Sequence, residues 1–372
     1  MSERRIMTER SEQPSEPLPA PRVGGESVDF VGRPSHDGRN LETPIESGQA
    51  LGGMHVDPSK VSGSGITSAG GRARIGDRVF LGMSSAAAVT VILIVVLIAT
   101  FLLIKSVPSI AHDKVNFLTS TEWTPDPGNL RFGIANLLWV TVIISLIALV
   151  VAVPIAVGIA LFITQDAPAR IARPVAYVID LLAAIPSIVY GIWGATVLAT
   201  ALEPVQRLLA RIPLPLFDLK QPNSTIFDGA VVLSVMILPI ITAISRDVFE
   251  RTPPANIEAA LALGATRYEM IRMAVLPYGR AGVVSGSMLG LGRALGETIA
   301  VYLILSTVGG QFSFSIFRGG ETFASKIANG SAEFNNPTST GAYIAAGLVL
   351  FVLTFVVNSA ARAIVNRRKD FV

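Results

Sequence analysis

Arg293 and Glu297 stand four residues apart inside a long apolar stretch of the C-terminal half. An ionised side chain costs about 2.5–3.5 kcal/mol at the middle of a membrane helix, so both must face protein or water. In a helix they would lie about 40° apart on one face. Since the planar arginine fork suits bidentate contact with an oxyanion, we predict that Arg293 helps an anion to pass. Glu297 would then hold or neutralise Arg293 when the path is empty, and a structural ion pair is the alternative interpretation.

A stripe of small residues accompanies this pair on the same predicted helix. Gly282, Gly286, Gly290 and Ala294 fall on the same side as Arg293 in helical geometry. Small residues spaced in this way allow two helices to approach closely. We therefore expect one face to be both the closest packed and the charged one, pointing into the bundle or towards a partner subunit.

A second group of residues predicts a helical hairpin in a polar segment between two apolar stretches. Thr252 precedes two prolines and is a favourable N-cap residue. Gly264 suits the left-handed residue that ends a helix, and Thr266 with Glu269 matches a capping box. Pro277 should end the second helix near residue 275. Two helices this short are marginal alone in water, so they need a groove in which to lie.

Several kinds of chemistry are excluded by residue content. The chain has no cysteine and three histidines, all outside the apolar stretches, so we predict neither a metal site nor a catalytic residue. A nucleotide-binding phosphate loop is absent from the sequence. Any energy from ATP must therefore enter through another chain.

The elements that position these residues are predicted to be membrane helices. The chain of 372 residues is 51% hydrophobic and 15% charged, with a mean hydropathy of +0.55, which is typical of the membrane class. A helix needs about 20 apolar residues to cross a bilayer. Six stretches qualify: Leu81–Ile104, Gly133–Thr164, Pro174–Ala201, Gly229–Ser245, Ala281–Thr307 and Gly341–Ala363.

Two prolines inside these stretches, Pro154 and Pro186, are candidate gating residues, because a mid-span proline frees a carbonyl and bends the helix. Residues 1–75 are rich in Gly, Pro, Ser and charge, so we predict a disordered cytoplasmic tail. The transmembrane domain would then span residues 76–370, with the hairpin at 250–277.

Orientation follows from the positive charges near the ends of the stretches. Fourteen Lys and Arg flank one side and eight flank the other, and the richer side is expected to be cytoplasmic. Both termini and the hairpin are therefore predicted to lie in the cytoplasm. The loops at 203–228 and 308–340 would face the outside.

The hairpin sequence resembles the EAA loop of ABC importer permeases. Glu258-Ala259-Ala260 is followed at the family's spacing by Gly264 and then by Leu276-Pro277, with Ala274 where the family usually has Ile. The resemblance implies an all-α chain with the type I permease fold and six transmembrane helices. It also implies that Glu258, Ala259, Ala260 and Gly264 couple the chain to an ATPase.

Three further segments resemble the PstC-type permeases of phosphate-specific importers: Leu182–Gly191, Gly292–Thr298 and Glu321–Asn329. The resemblance covers about residues 75–370. It implies a bacterial plasma membrane protein that pairs with a PstA-type sister permease, two PstB-type ATPase subunits and a PstS-type extracytoplasmic phosphate-binding protein. It further implies that ATP and Mg are bound by the ATPase, that membrane lipid surrounds the chain, and that nucleic acid is not a partner. Arg293 and Glu297 match the family's charged pair implicated in phosphate passage.

Rival classes remain open at this point. A permease for sulfate or molybdate would carry the same hairpin, and the phosphate interpretation rests on the resemblance alone. An ion-coupled secondary transporter would show two homologous halves with broken helices, and no clear internal repeat is visible. A membrane regulatory or scaffold subunit is the third alternative.

Overall fold

The computed structural model describes residues 75–126, 128–219, 223–306, 312–334 and 336–366, without the side chains of residues 75 and 364–366. The predicted disordered tail therefore lies outside the described residues, apart from residue 75.

The described chain is built mainly of α-helices. In chain order the helices are α1 Ile75–Ala111, α2 Ala135–Leu161, α3 Ala169–Ala184, α4 Ser187–Trp193, α5 Ala199–Leu209, α6 Ile226–Glu250, α7 Pro254–Ala262, α8 Arg267–Met270, α9 Leu276–Gly296, α10 Ile299–Ile304, α11 Phe323–Asn329 and α12 Pro337–Asn366. Three π-helical segments continue or join them: Phe162–Asp166, Gly194–Leu198 and Ile271–Val275. Short 3₁₀ turns lie at Pro215–Phe217 and Gly330–Glu333.

A small antiparallel sheet is the exception to the all-α prediction. Strand β1, Trp123–Asp126, pairs with β2, Asn129–Phe132, in a register that places Trp123 opposite Phe132. The Trp123 ring packs edge-on against the Phe132 ring and contacts Tyr343 of α12. This β-hairpin thus covers the bundle at the end where α1 stops and α2 begins.

Five helical segments of the described chain are long and apolar enough to cross a membrane. They are Gly76–Ala111, Ala135–Asp166, Ser187–Leu209, Ile226–Glu250 and Pro337–Ala363. Four of the six predicted stretches therefore correspond to single helical segments.

The third predicted stretch is interrupted at Pro186, so its bounds were wrong. Ile185 is extended (φ −70°, ψ 127°), as expected for a residue before proline. The crossing segment begins at Ser187 instead and continues through a π-helical turn to Leu209. Helix α3 precedes it as a separate element with Arg170 and Arg173 in its first turns.

The fifth predicted stretch is also broken. Helix α9 contains six glycines and two arginines and is not among the five crossing segments. It ends at Gly296, where Glu297 is extended (φ −69°, ψ 125°), and α10 begins two residues later. The predicted six crossings are reached in the described residues when α9 with α10 is taken as one crossing.

The core lies between α2, α6, α9 and the short helices α4 and α10. Fully buried alanines recur every four residues along α2, at Ala148, Ala152, Ala156 and Ala160. This spacing lets α2 and α6 pack closely. Helix α1 differs, because its most apolar window has no buried residue and it packs mainly against α12.

Candidate functional site

Arg293 lies in an open groove between α6, α9 and α12. The groove has a volume of about 840 Å³. Ile240, Met288 and Leu289 supply apolar walls near Arg293, while Arg362 of α12 supplies a second guanidinium. Arg293 itself is exposed in the single chain. The groove therefore combines two fixed positive charges with a largely apolar lining.

The sequence did not identify Arg362 as a site residue. It was counted only among the charges that flank the last apolar stretch, and it is 69 positions from Arg293. Asn358, one turn before Arg362, and Ser285 of α9 also line the groove. Asn358 and Arg362 are four residues apart and lie on one face of a helix. Two polar residues on one face of an apolar stretch are the sequence pattern that could have identified them.

Glu297 does not share a helix face with Arg293, so the predicted geometry of this pair is wrong. The chain leaves the helix at Gly296, and the Glu297 side chain turns forward to accept a hydrogen bond from the Ala300 backbone N–H at 3.2 Å. No ion pair links Arg293 to Glu297 in the described part of the chain. Glu297 instead stabilises the start of α10.

The small-residue stripe packs against α6 of the same chain. A Cβ added at Gly282 would lie 2.3 Å from Val248 Cγ2, and one at Gly286 would lie 3.2 Å from Ile244 Cβ. The stripe therefore points into the bundle, as predicted. Arg293 is exposed beside this contact, so the closest-packed face and the charged face are different.

The two broken helices meet at their breaks. Helix α4 packs against α10, and a Cβ at Gly191 would lie 2.9 Å from Ala300 Cα. The hydroxyl of Tyr190 donates to the Leu182 carbonyl at 2.9 Å across the Pro186 break, and Tyr190 lies near enough to Arg293 to interact electrostatically. Pro186 therefore stands at the junction of the two broken helices.

Pro154 occupies a different setting from Pro186. Helix α2 continues through it without interruption to Leu161, and the residue is exposed on the outside of the bundle. The structure thus separates the two candidate gating prolines, because only one stands at a break in a helix.

The polar hairpin consists of α7, a tight turn and α8. Gly264 adopts φ +83°, which is the left-handed conformation predicted for it. The capping box is also present, since the Glu269 N–H donates to Thr266 Oγ1 at 3.3 Å and the Thr266 N–H donates to Glu269 Oε2 at 2.8 Å. Thr266 donates to Glu269 Oε2 from its backbone N–H and from its hydroxyl, each at 2.8 Å, and these two hydrogen bonds hold the pKa of Glu269 below its ordinary value of 4.5.

Two predictions about the ends of the hairpin were wrong. Pro253, not Thr252, is the N-cap of α7, and Thr252 is buried. Pro277 does not end the second helix, because the chain passes through the π-helical segment Ile271–Val275 directly into α9. In that segment the Leu276 N–H donates to the Ile271 carbonyl, and this shifted bonding frame accommodates the proline.

One side of the hairpin is anchored to the bundle. Ala260, Met270 and Val275 are buried in a cluster with Ala160 of α2 and Phe249 of α6. The other side is free in the described chain. Glu258 and Ala259 are exposed there, as are the large apolar side chains Leu261 (45% exposed), Leu263 (89%), Tyr268 (71%) and Met273 (58%).

The described chain is a bundle of helices long and apolar enough to cross a membrane, with an anchored polar hairpin and a cationic groove. Residues 152–370 match the family described as "Binding-protein-dependent transport system inner membrane component". This match spans more than half of the chain, and the chain belongs to this family.

Relatives at high identity extend the likeness beyond the family region. A protein of Mycobacterium bovis named "Phosphate transport system permease protein PstC 2" is 56% identical over 299 residues, covering 78% of this chain and 92% of that protein. The PstC protein of Mycobacterium leprae is 53% identical over 277 residues, covering 73% and 87%. The PstC protein of Mesorhizobium japonicum is 38% identical over 298 residues, covering 78% and 90%.

Proposed function

We propose that the chain is the permease subunit of an ATP-driven importer of inorganic phosphate and forms half of the translocation pathway. The observation that carries the proposal is the 56% identity over 299 residues to a protein named as a phosphate transport permease. The relatives described above, from Mycobacterium and Mesorhizobium, are all named as phosphate transport permeases, so they do not favour a sulfate or molybdate permease.

The groove at Arg293 is our candidate for the anion path. A phosphate oxyanion is bound most strongly by charge-assisted donors, and arginine can contact it through two parallel N–H groups. Arg293 and Arg362 supply two such donors on facing helices, and the groove is open enough to admit an anion. Glu297 has a supporting role in this proposal, because it positions α10 beside the groove rather than neutralising Arg293. Pro186 is the candidate hinge, and no feature of Pro154 supports a gating role.

The hairpin is our candidate for the contact with the motor. Its exposed residues Glu258, Ala259 and Gly264, with the apolar side chains beside them, form a surface that a groove in an ATPase could cover. Ala260 is buried against the bundle, so its role is to transmit the contact rather than to make it. ATP and Mg would be bound by that ATPase.

The remaining partners follow from the same proposal. A sister permease would complete the pathway, two ATPase subunits would drive it, and an extracytoplasmic phosphate-binding protein would deliver the substrate. Both chain termini would be cytoplasmic, in keeping with the excess of positive charge on the hairpin side.

Uptake by the reconstituted complex tests the proposal. Labelled phosphate should enter liposomes only with ATP and the binding protein present. Arg293→Gln and Arg362→Gln should each lower uptake about 10-fold to 100-fold, because each removes a charge-assisted contact with the anion. Arg280→Gln, at the opposite end of α9, is the matched control and should leave uptake unchanged.

Assembly of each variant is checked by co-purification of the subunits. Uptake driven by an ion gradient without ATP would refute the importer proposal. Normal phosphate uptake by an assembled Arg293→Gln complex would refute the assignment of the path while leaving the importer class intact.

A further inference from the structure

A second cavity lies at the opposite end of the bundle from the polar hairpin. It has a volume of about 610 Å³ and is formed by the last turns of α1, the β-hairpin and the first turn of α12. Its lining includes three basic side chains: Lys105, His112 and Lys114. No acidic side chain is among the residues that line it.

The three basic side chains keep hydrogen-bonding groups that no described residue uses. Lys105 is exposed and makes no hydrogen bond or ion pair within the described chain. The Lys114 ammonium donates to the Gly128 carbonyl at 3.2 Å and to Asn129 Oδ1 at 3.0 Å, which leaves one of its three hydrogens unused. His112 Nδ1 bonds the Pro108 carbonyl at 2.6 Å, so the other ring nitrogen remains for a ligand.

The nearest acidic residue in sequence does not neutralise this cluster by contact. Asp113 directs its Oδ1 to the backbone N–H groups of Val115 and Phe132, each at 3.2 Å. That carboxylate therefore orders the loop between α1 and the β-hairpin. The cavity keeps a net positive lining.

The position of the cavity indicates the depth at which a ligand would bind. Exposed apolar side chains run along most of α1 up to Ile104, which is 64% exposed, and Val107 is the last of them at 52%. Lys105 lies between these two residues, and a lysine near the end of an apolar helix is typical of the boundary between hydrocarbon and headgroups. The cavity thus has an apolar floor at the level of the acyl chains and basic walls at the level of the phosphates.

We propose that this cavity binds a phospholipid with a net negative headgroup. Lys105 and Lys114 would contact the headgroup phosphate, and an acyl chain would lie along the exposed surface of α1 near Phe101 and Ile104. A free phosphate ion would satisfy the basic side chains but would leave this apolar floor in contact with water. A lipid satisfies both.

The geometry also gives the lipid a structural consequence. The end of α1 is tied to α12 by a hydrogen bond from Ser109 Oγ to the Thr338 carbonyl at 3.0 Å. A Cβ at Gly341 would lie 1.9 Å from Ser109 Oγ, so the two helices are in close contact at this point. A lipid in the cavity bridges both helices and would stabilise the crossing.

The test is a titration of the purified full-length chain followed by native mass spectrometry. Phosphatidylglycerol is the anionic probe, phosphatidylcholine is the zwitterionic control, and excess inorganic phosphate is the free-anion competitor. The unmodified chain should prefer phosphatidylglycerol. Lys105→Gln/Lys114→Gln should bind it about 25-fold more weakly, since each basic residue near a membrane surface contributes roughly a factor of five.

Matched variants separate local contact from general charge. Arg207→Gln/Arg211→Gln removes the same charge outside the cavity and should bind phosphatidylglycerol like the unmodified chain. Lys105→Arg/Lys114→Arg should restore binding. If the double glutamine variant fails to fold, Lys105→Gln alone, which breaks no hydrogen bond or ion pair of the described chain, should still show a roughly fivefold loss.

Three results would overturn the proposal. They are equal binding of the two lipids, equal binding by the unmodified chain and Lys105→Gln/Lys114→Gln, and displacement of phosphatidylglycerol by inorganic phosphate. The last result would assign the cavity to a free anion. None of these outcomes depends on phosphate uptake, so the proposal stands or falls separately from the importer function.

Discussion

The turn of the hairpin at Gly264 offers the sharpest perturbation of the coupling surface. Its φ of +83° lies in the left-handed region, which costs about 1–2 kcal/mol for a residue with a Cβ. A Cβ placed there would meet no atom within 4 Å. Any effect of Gly264→Ala or Gly264→Val must therefore come from backbone strain and not from a steric clash with the bundle.

The magnitude follows from this cost. A penalty of about 1–2 kcal/mol lowers the equilibrium ratio of the ordered to the open turn by a factor of roughly 5–30. The penalty should be larger for Gly264→Val than for Gly264→Ala, because a β-branched side chain tolerates positive φ least. Asparagine adopts the left-handed region more readily, so Gly264→Asn should stay close to the unmodified chain.

Two measurements report on the turn. The amides of Gly264 and Ala265 donate to the Leu261 and Ala260 carbonyls at 2.9 and 3.2 Å, so their hydrogen exchange should accelerate by the same factor of about 5–30 in Gly264→Val. Capture of the partner ATPase by the solubilised chain should weaken least in Gly264→Asn, more in Gly264→Ala and most in Gly264→Val.

The control is a glycine with ordinary backbone geometry. Gly158 is exposed on α2, and a Cβ there would also meet nothing within 4 Å. Gly158→Ala should leave ATPase capture unchanged and stabilise α2 slightly. Unchanged exchange at the turn in Gly264→Val would refute the strain argument, and unchanged ATPase capture despite faster exchange would remove the hairpin from the docking surface.

Two further predictions concern the same end of the molecule. Because the folded pKa of Glu269 is lowered, its cap stabilises the hairpin fully above the ordinary pKa of 4.5 and is lost as the pH falls through the lowered value. Hairpin exchange between about pH 6 and pH 3 should show this loss, Glu269→Gln should abolish the pH dependence, and an identical dependence in both proteins would contradict it. Gly282→Ala should destabilise the bundle by about 1–3 kcal/mol through its clash with Val248, and Val248→Ala should restore the midpoint of thermal unfolding. A Gly282→Ala protein as stable as the unmodified chain would show that α6 and α9 are not in close contact.

Local chemistry explains which parts of the hairpin were predictable. The left-handed turn at Gly264 and the capping box of Thr266 with Glu269 depend on residues within a few positions of one another, so the sequence contains the whole cause. The continuation through Pro277 was not predictable in this way. It depends on a π-helical turn whose residues are fixed by burial of Met270 and Val275 against α2 and α6.

The groove and the helix breaks could not be predicted from the sequence, because they depend on contacts between residues that are far apart in the chain. Helical periodicity continues through Gly296 without interruption in the sequence, and the break at Glu297 becomes visible only where α10 packs against α4. Arg362 enters the groove because α12 packs against α9, and no local pattern connects residues so far apart in the chain. The β-hairpin had a local signal that was missed, since Pro127-Gly128 is a common turn dipeptide.

The uninterrupted helical path from Arg267 to Gly296 has a mechanical consequence. Its 30 residues form a rod about 45 Å long, and such a rod cannot shorten when one end is pushed. The positions where it can bend are the π-helical turn beside the hairpin and the break at Glu297 beyond Arg293. Because the glycine stripe packs this helical path closely against α6, we expect the two to move together as one rigid unit. If the hairpin is the docking surface that we propose, its displacement would bend the chain at the π-helical turn and shift α9 together with α6, and the junction with α10 would take up the change in angle.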